Sequence, residues 1–468
     1  MERAEKLRTP SQATHLSRER ETTIAAPLTM GKAAHQERSN ETLKLAALAL
    51  AGVCAFLDLY APQPVLPMLR EIFHTTAAEI GWTISATTLG VALAAPVAGI
   101  VADRVGRRRT IVACLFGLSI PTMLAATAST LPALVFWRFI AGLFMPGIIT
   151  AALAYVAEEW EGRESARAVT TYITGTVLGG FAGRMLTGVL AEHGGWRTSF
   201  VDIGAMTLIG AVAVSRWLPA EQSHSAQETW FATDERYESA GVSPFCQRLL
   251  DTLPARNERT GRRAGDEGER RRSLASFTAH LRNPLLIATY AVGFSVLFSL
   301  VATFTFITFH LAAAPYRLGP IAQGALFFVY LLGLVVTPAS SAWMHRYGQR
   351  LTLTIAVLAS SVGVLLTLSG PLWLVVAGLA LCSSGVFVCQ AAASSFVGIA
   401  ASQAKAAAAG LYVTFYYIGG SAGAVLPGLL WKSTGWTGCV ALIVAVQLIA
   451  GAVAYRYWRT PVSTAAIA

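Results

Sequence analysis

The sequence predicts an all-α membrane protein whose twelve transmembrane helices form two pseudo-symmetric six-helix bundles. Apolar residues make up 54% of the 468 residues and charged residues only 13%, about half of the charged fraction that is usual in soluble domains. Twelve apolar segments are each long enough to cross a bilayer. The second six segments repeat the glycine pattern of the first six.

Long polar segments and long apolar segments follow one another and divide the chain into five regions. A polar cytoplasmic tail, 1–44, precedes an N-terminal bundle, 45–217; a charged cytoplasmic linker, 218–283, then leads to a C-terminal bundle, 284–457, and a cytoplasmic tail, 458–468. We expect the linker to be largely disordered, because it has few apolar residues and many charges. The expected spans are 45–68, 80–102, 110–129, 132–156, 168–191 and 199–217, followed by 284–311, 320–344, 351–369, 372–398, 407–431 and 437–457.

Basic residues predict the orientation of these spans. Of the 36 Lys and Arg residues, thirty lie on the side of the two termini, four lie on the other side and two lie within spans. Cytoplasmic loops of membrane proteins are enriched in Lys and Arg. We therefore expect both termini in the cytoplasm.

The distribution of charge and the spacing of the cysteines argue against nucleic-acid and metal partners. The formal charge of +10 is spread over many loops rather than gathered in a patch, so we expect contact with membrane lipid and no nucleic-acid partner. The six cysteines have no CxxC spacing, and most lie in apolar segments where cysteine behaves as a small apolar residue. We expect no metal and no cofactor.

An internal repeat relates the two bundles. Residues 172–196 and 412–436 are identical at eleven positions with a constant offset of 240. Small residues at four-residue spacing let helices meet closely in a membrane, and the glycines expected to do so are Gly175, Gly179, Gly183, Gly419 and Gly423. Two parallel repeats of this kind predict a substrate site between the halves, near the middle of the bilayer.

The loop after the second span has a distinctive sequence, with Gly99, Asp103, Arg104, Gly106, Arg107 and Arg108. Gly99 would let neighbouring helices approach and Gly106 would permit a tight turn. The arginines would anchor the loop at anionic head groups. Such anchoring alone would explain the arginines but not Asp103. The second copy of this loop has His345 where an acid would be expected.

This loop resembles the signature of the major facilitator superfamily, in which it is a cytoplasmic latch that holds one access state. Arg138 and Gly142 in span four are similar to a second element of that family. Residues 59–64, 179–184 and 329–333 resemble the YnfM-type branch of bacterial proton-linked efflux proteins. The resemblance implies the major facilitator fold, the bacterial inner membrane, a monomer and a proton gradient as the energy source.

Asp58 is the only acidic residue well inside a predicted span. Ionisable groups inside the membrane are costly and commonly take part in ion or proton transfer. Its spacing to Leu66-Pro67 is similar to a span-one element of drug antiporters of the family. We expect Asp58, Arg138 and Arg184 to couple transport to protons. A fixed ion pair without turnover, or an Arg138 side chain that reaches the outer head groups, would be the structural alternative.

Polar and aromatic side chains within the spans are candidates for a substrate cavity. We expect this cavity to include Tyr60, Gln63, Phe306, Gln390, Tyr412 and Tyr416. Most aromatic residues of such spans pack against other helices or face lipid, which is the alternative for each of them.

Three functions are compatible with these features. The first is secondary active transport, with proton-coupled export of a small molecule by alternating access. The second is a proton symporter or facilitator that imports a sugar or organic anion, for which two intramembrane arginines would be suitable. The third, a non-transporting membrane sensor or an enzyme, lacks support, because the spans contain no HExxH, no GxSxG and no paired carboxylates. The sequence also has no GxxxxGK[ST] loop for ATP hydrolysis.

Overall fold

The computed structural model describes residues 40–219, 280–401 and 405–458. Within these ranges all regular secondary structure is helical. The expectations for the N-terminal tail, for most of the central linker and for most of the C-terminal tail fall outside the described residues.

Ten helices of the described residues are long and apolar enough to cross a membrane. The first half contains α1 (Asn40–Ile72), α2 (Ala77–Val105), α3 (Arg107–Ala125), α4 (Leu131–Glu159) and a long helix, Gly162–Trp217, whose parts are named α5 (162–194) and α6 (196–217). The second half contains α7 (Pro284–Ala312), α8 (Pro320–Tyr347), α9 (Gln349–Leu366), α10 (Leu372–Ala400) and a long helix, Lys405–Tyr457, whose parts are named α11 (405–434) and α12 (436–457).

The two long helices are each divided by a glycine. They contain 56 and 53 residues, or about 80 Å at 1.5 Å per residue, against roughly 30 Å of hydrocarbon. The backbone leaves the helical conformation at Gly195 (φ 82°) and Gly435 (φ 59°), where only glycine adopts a positive φ without strain. Division of the two long helices at these glycines turns the ten candidate spans of the described residues into twelve helical segments.

The first span is not the continuous helix that the sequence predicted. Its elements are a helix over 40–59, a turn over 60–62, a 3-10 turn over Gln63–Val65 and a second helical piece over Leu66–Ile72. In a continuous α-helix the N–H of residue 62 would donate to the carbonyl of Asp58. Pro62 has no N–H, and the regular helix therefore ends one residue after Asp58.

Glycines bring α5 against α1, and α11 against α7, in the same way. A Cβ atom at Gly175, Gly179 or Gly183 would collide with the backbone of Ala49, Val53 or Leu57 respectively. A Cβ atom at Gly419 or Gly423 would collide with the backbone of Phe294 or Phe298. Backbone-to-backbone contact of this kind is typical of small residues in membrane helices, and its recurrence shows that the repeat extends to the packing.

The two halves of the molecule contact each other near one face of the membrane-spanning region. We call the face where α1 begins and α12 ends the terminal face, and the face at Gly195 and Gly435 the opposite face. Near the opposite face, the hydroxyl oxygens of Ser85 on α2 and Ser421 on α11 are 2.6 Å apart. Glu192 at the end of α5 accepts a hydrogen bond of 3.0 Å from the N–H of Ile321 in α8.

The contact between α2 and α11 ends before the terminal face. A Cβ atom at Gly99 on α2 or at Gly410 on α11 would meet no atom within 4 Å. The α2 side chains beside Gly99, among them Val97 and Ile100, are exposed. Gly99 was expected to let neighbouring helices approach closely, but in this conformation no other helix of the described residues lies against it.

The glycine contacts predict a difference in stability between two matched substitutions. Gly179→Ala should lower the free energy of unfolding by about 1–3 kcal/mol, because the added methyl group collides with the α1 backbone. Gly410→Ala, which adds the same group in open space on α11, should be neutral or stabilising by up to about 1 kcal/mol. Thermal unfolding in detergent measures both. Equal effects of the two substitutions would contradict the packing described for α5.

Candidate functional site

The carboxyl group of Asp58 lies inside the first half of the molecule. The residue is fully buried, and its Oδ2 atom accepts a hydrogen bond of 2.5 Å from the hydroxyl of Thr207 on α6. Thr122 on α3 is a second hydroxyl neighbour. The Oδ1 atom has no hydrogen-bond partner among the described residues. Asp58 is thus enclosed by α1, α3 and α6 rather than placed between the two halves.

Arg138 on α4 binds the backbone of α1 where the regular helix ends. Its Nη2 atom donates to the carbonyl oxygen of Asp58 at 2.8 Å and to that of Leu59 at 2.7 Å. These carbonyls lie at the negative end of a helix dipole, and Pro62 supplies no N–H to the first of them. The fully buried guanidinium also interacts electrostatically with the Asp58 carboxylate. Among the described residues its Nε and Nη1 atoms have no hydrogen-bond partner.

Arg184 on α5 lies at the boundary between the two halves. Its Nε atom donates to Gln63 Oε1 at 2.7 Å, and Nη1 donates to the carbonyl of Gly180. Three aromatic rings surround the guanidinium at 4.6–4.8 Å from their centroids: Tyr60 of the first half, with Phe327 and Tyr330 of α8. Such contacts between a cation and ring faces are attractive, more so where water is excluded. We call this group of residues the arginine cage.

Gln63 connects the arginine cage to the second half. Its side-chain oxygen accepts the hydrogen bond from Arg184, and its Nε2 atom donates to the hydroxyl of Thr305 on α7 at 3.1 Å. Gln63 is fully buried. One amide side chain thus joins α5 to α7 through the broken part of α1.

The structure separates Asp58 from Arg184, which the sequence grouped together. The charge close to Asp58 is that of Arg138, whereas aromatic rings surround Arg184. The link between the two sites is the chain itself, because Tyr60 and Gln63 follow Asp58 by two and five residues. The three residues predicted to act together therefore belong to two separate sites, which are joined by the broken part of α1.

The other cavity candidates lie in the second half. The hydroxyl of Tyr412 on α11 donates to Gln390 Oε1 on α10 at 3.2 Å, and the Tyr412 and Tyr416 rings stack with centroids 6.2 Å apart. Phe306 differs from the expectation. It is fully buried against Phe309 and Trp431, so it packs α7 against α11 and offers no surface to a cavity in this conformation.

The loop between α2 and α3 binds four helices of the first half to each other. Gly106 makes the turn with a φ of 100°. Arg107 pairs with Asp103 and, at 2.9 Å, with Glu158 at the end of α4. Arg108 donates to the carbonyls of Ser215 and Leu218 at the end of α6, at 2.6 and 2.7 Å. Arg104 is exposed.

Sequence reasoning missed four contributors to these sites. They are Thr207 beside Asp58, and Thr305, Phe327 and Tyr330 around Arg184 and Gln63. Buried threonines are common in these spans, and many, such as Thr122, donate to a carbonyl of their own helix. Polarity alone therefore did not distinguish the two that contact the functional residues.

Two helical bundles with buried charged and polar groups at and beside their interface define a membrane transporter. A sequence profile of the Major Facilitator Superfamily matches residues 48–327. The chain therefore belongs to the major facilitator superfamily, as its motifs predicted. Members of this family are transporters rather than enzymes and generally need no cofactor.

Relatives and a solved structure agree with this assignment. The chain is 29% identical over 413 residues to the inner membrane transport protein YnfM of Escherichia coli K12, covering 88% of this chain and 90% of YnfM. It is 27% identical over 180 residues to the multi-drug resistance efflux pump PmrA of Streptococcus pneumoniae, covering 38% and 45%. Its fold matches an inward-facing bacterial homolog of the lysosomal transporter Spinster with a TM-score of 0.64, at 16% identity, covering 89% and 97%.

The arginine cage predicts a specific effect on stability. Arg184→Lys keeps the charge but loses the planar group that binds Gln63 and packs against three rings. The free energy of unfolding should fall by about 1.5–3 kcal/mol, the usual contribution of a hydrogen bond to a charged group. Arg104→Lys, at an exposed position, should change it by less than about 0.5 kcal/mol. Thermal unfolding of the two variants tests the cage, and equal midpoints would argue against it.

Proposed function

We propose that this transporter exports a small molecule in exchange for protons. The observation that carries the proposal is the carboxyl group of Asp58, fully buried beside the Arg138 cation and bonded to one threonine hydroxyl. A buried acid with a nearby cation is suited to bind and release a proton as its surroundings change. The proton gradient would then supply the energy for transport, with no cofactor.

Protonation of Asp58 would change how Arg138 is held. The ionised carboxylate attracts the guanidinium, and in a low-dielectric interior this attraction is much stronger than in water. The Oδ1 atom has no competing hydrogen bond among the described residues, so it can accept a proton. Protonation of the carboxyl group removes the attraction to Arg138. Arg138 would then be held by the backbone carbonyls of Asp58 and Leu59 alone.

The broken part of α1 would carry this change to the contact between the halves. Arg138 binds the last carbonyls before the break, and the break itself contains Tyr60 and Gln63. These two residues contact Arg184, and Gln63 also contacts Thr305 of the second half. A shift of the break would therefore alter the bonds that join the two halves at their centre, which is where a substrate would bind in this architecture.

The packing supports an inward-facing state in this scheme. If the termini lie in the cytoplasm, as the basic loops predict, the opposite face is the outer face and is closed by the contacts of Ser85 with Ser421 and of Glu192 with α8. The outward-facing state would break these contacts. Asp58 would take up a proton from outside and release it inside, and substrate binding beside Arg184 would alternate with that cycle.

Import is the second candidate. The guanidinium of Arg184, placed between the halves, would suit the carboxylate or phosphate of an organic anion, which favours a symporter or facilitator for such a compound over one for a neutral sugar. Export is preferred because the motifs resemble those of efflux proteins and because PmrA, a partial relative, is an efflux pump. The direction of accumulation in oriented vesicles distinguishes export from import.

The test of proton coupling compares two acidic residues. A panel of drugs, sugars and organic anions is first screened for compounds that raise the melting temperature, and the strongest stabiliser is then used as the transported probe in proteoliposomes. Asp58→Asn should abolish the dependence of transport on the pH gradient, because the amide cannot exchange a proton. Asp202→Asn, at a partly exposed position on α6, should retain it.

Three outcomes would contradict the proposal. Unchanged gradient dependence in Asp58→Asn would remove this residue from coupling. Gradient-independent transport by the native protein would remove proton coupling altogether and leave a facilitator. Loss of gradient dependence in both variants would show that the effect is not specific to Asp58.

A further inference from the structure

The internal repeat gives the residues of the Asp58 site counterparts in the second half. The equivalent packing contacts of Gly183 with Leu57 and of Gly423 with Phe298 align α1 with α7 at an offset of 241. The glycine breaks align α6 with α12 at an offset of 240. The residues that precede the first turns of α4 and α10, Thr130 and Pro371, align these helices at an offset of 241.

These alignments identify a neutral counterpart of the Asp58 site. Ser299 on α7 stands where Asp58 stands on α1, Gln447 on α12 stands where Thr207 stands on α6, and Leu379 on α10 stands where Arg138 stands on α4. Ser299 and Leu379 are fully buried, and Gln447 is 4% exposed. The second half thus has neither the acid nor the cation of the first half.

A cavity lies at this neutral counterpart. Its volume is about 20 Å³, and its lining includes the polar residues Ser295, Ser299, Ser360 and Gln447. A cavity of this kind needs about 10–15 Å³ to hold one water molecule. Serine is smaller than aspartate, so the replacement of a carboxyl group by a hydroxyl group explains the space.

Ser299 requires a hydrogen-bond partner at this place. Its hydroxyl group is fully buried and has no partner among the described residues. A buried polar group without a partner costs about 1–3 kcal/mol, and buried hydroxyl groups in native proteins are nearly always bonded to protein or to ordered water. A ligand that can both donate and accept would remove that cost.

The neighbouring side chains have capacity for such a ligand. Gln447 Nε2 donates to Ser360 at 2.9 Å, and Gln447 Oε1 accepts from Ser361 at 2.8 Å. An amide has two N–H donors and two acceptor lone pairs, so one donor and one acceptor site of Gln447 remain after these bonds. Buried water typically makes about three hydrogen bonds, which Ser299, Gln447 and a second serine can supply.

We propose that the second half binds one structural water molecule between Ser299 and Gln447, in the place that the Asp58 carboxyl group occupies in the first half. The residues that line the cavity are all neutral, so a bound cation would have no compensating charge. This neutral site takes no part in proton transfer, so that of the two equivalent places only the one in the first half carries a titrating carboxyl group. The water site itself does not depend on the direction or the coupling of transport.

An experimental structure of the full chain in a lipid nanodisc, at a resolution that shows ordered water, tests the proposal. The native protein should show one density peak within hydrogen-bond distance of Ser299 Oγ and of the Gln447 amide, at about 2.7–3.2 Å. Absence of a peak would overturn it. A peak with several oxygen ligands at about 2.3–2.6 Å, the spacing of a metal ion such as calcium, would also overturn it.

A variant separates this site from the mechanism of transport. Ser299→Val replaces the hydroxyl by apolar atoms that fill the cavity, and the density peak should disappear. The dependence of probe transport on the pH gradient should match that of the native protein, because no titrating group is touched. If the native protein shows the water but Ser299→Val changes the dependence of transport on the pH gradient, the inert role is refuted. If Asp58→Asn keeps that dependence, only the coupling proposal is refuted.

Discussion

The break in α1 and its hydrogen bonds to Arg138 constrain the rest of the structure. In hydrocarbon every backbone polar group needs a partner within the protein, and Pro62 removes the N–H that would satisfy the carbonyl of Asp58. Arg138 supplies the missing donors to Asp58 and Leu59. The guanidinium of Arg138 is thus held by two backbone carbonyls at the break in α1, and these bonds place it next to the Asp58 carboxylate.

In the proposed mechanism, this arrangement places a titrating group and a substrate-facing group on one short segment of chain. Asp58 faces the interior of the first half, while Tyr60 and Gln63 face the boundary with the second half. A proton bound on one side can therefore change contacts on the other without a long path of intermediates. The second half carries no such device at the equivalent place, where Ser299 and Leu379 are neutral, so the pseudo-symmetric halves differ in chemistry while they share their packing.

Much of the fold could be predicted from the sequence, and less of the site. Hydropathy and the register of glycines such as Gly179 specify the spans and their closest contacts, because both depend on local spacing. The break in α1 was missed, since Pro62 lies within an apolar segment that reads as continuous. The sequence grouped Arg184 with Asp58 as ionisable residues within spans, but spacing along a helix gives no rotation about the helix axis, so it did not show that they face different sides. For the same reason the sequence did not show that Phe306 packs between α7 and α11 in this conformation.

The role of Asp58 is tested most directly by measuring how far its protonation moves the two halves. Spin labels at Ile100 on α2 and Val413 on α11, exposed positions on the terminal-face side of the molecule, would be placed in a protein whose six native cysteines are replaced. Pulsed electron paramagnetic resonance, recorded at a series of pH values, then gives the distance between the two labels. A pH-dependent shift is expected in this protein, and a fixed separation is expected once Asp58→Asn is added. The same shift with and without Asp58→Asn would contradict that role.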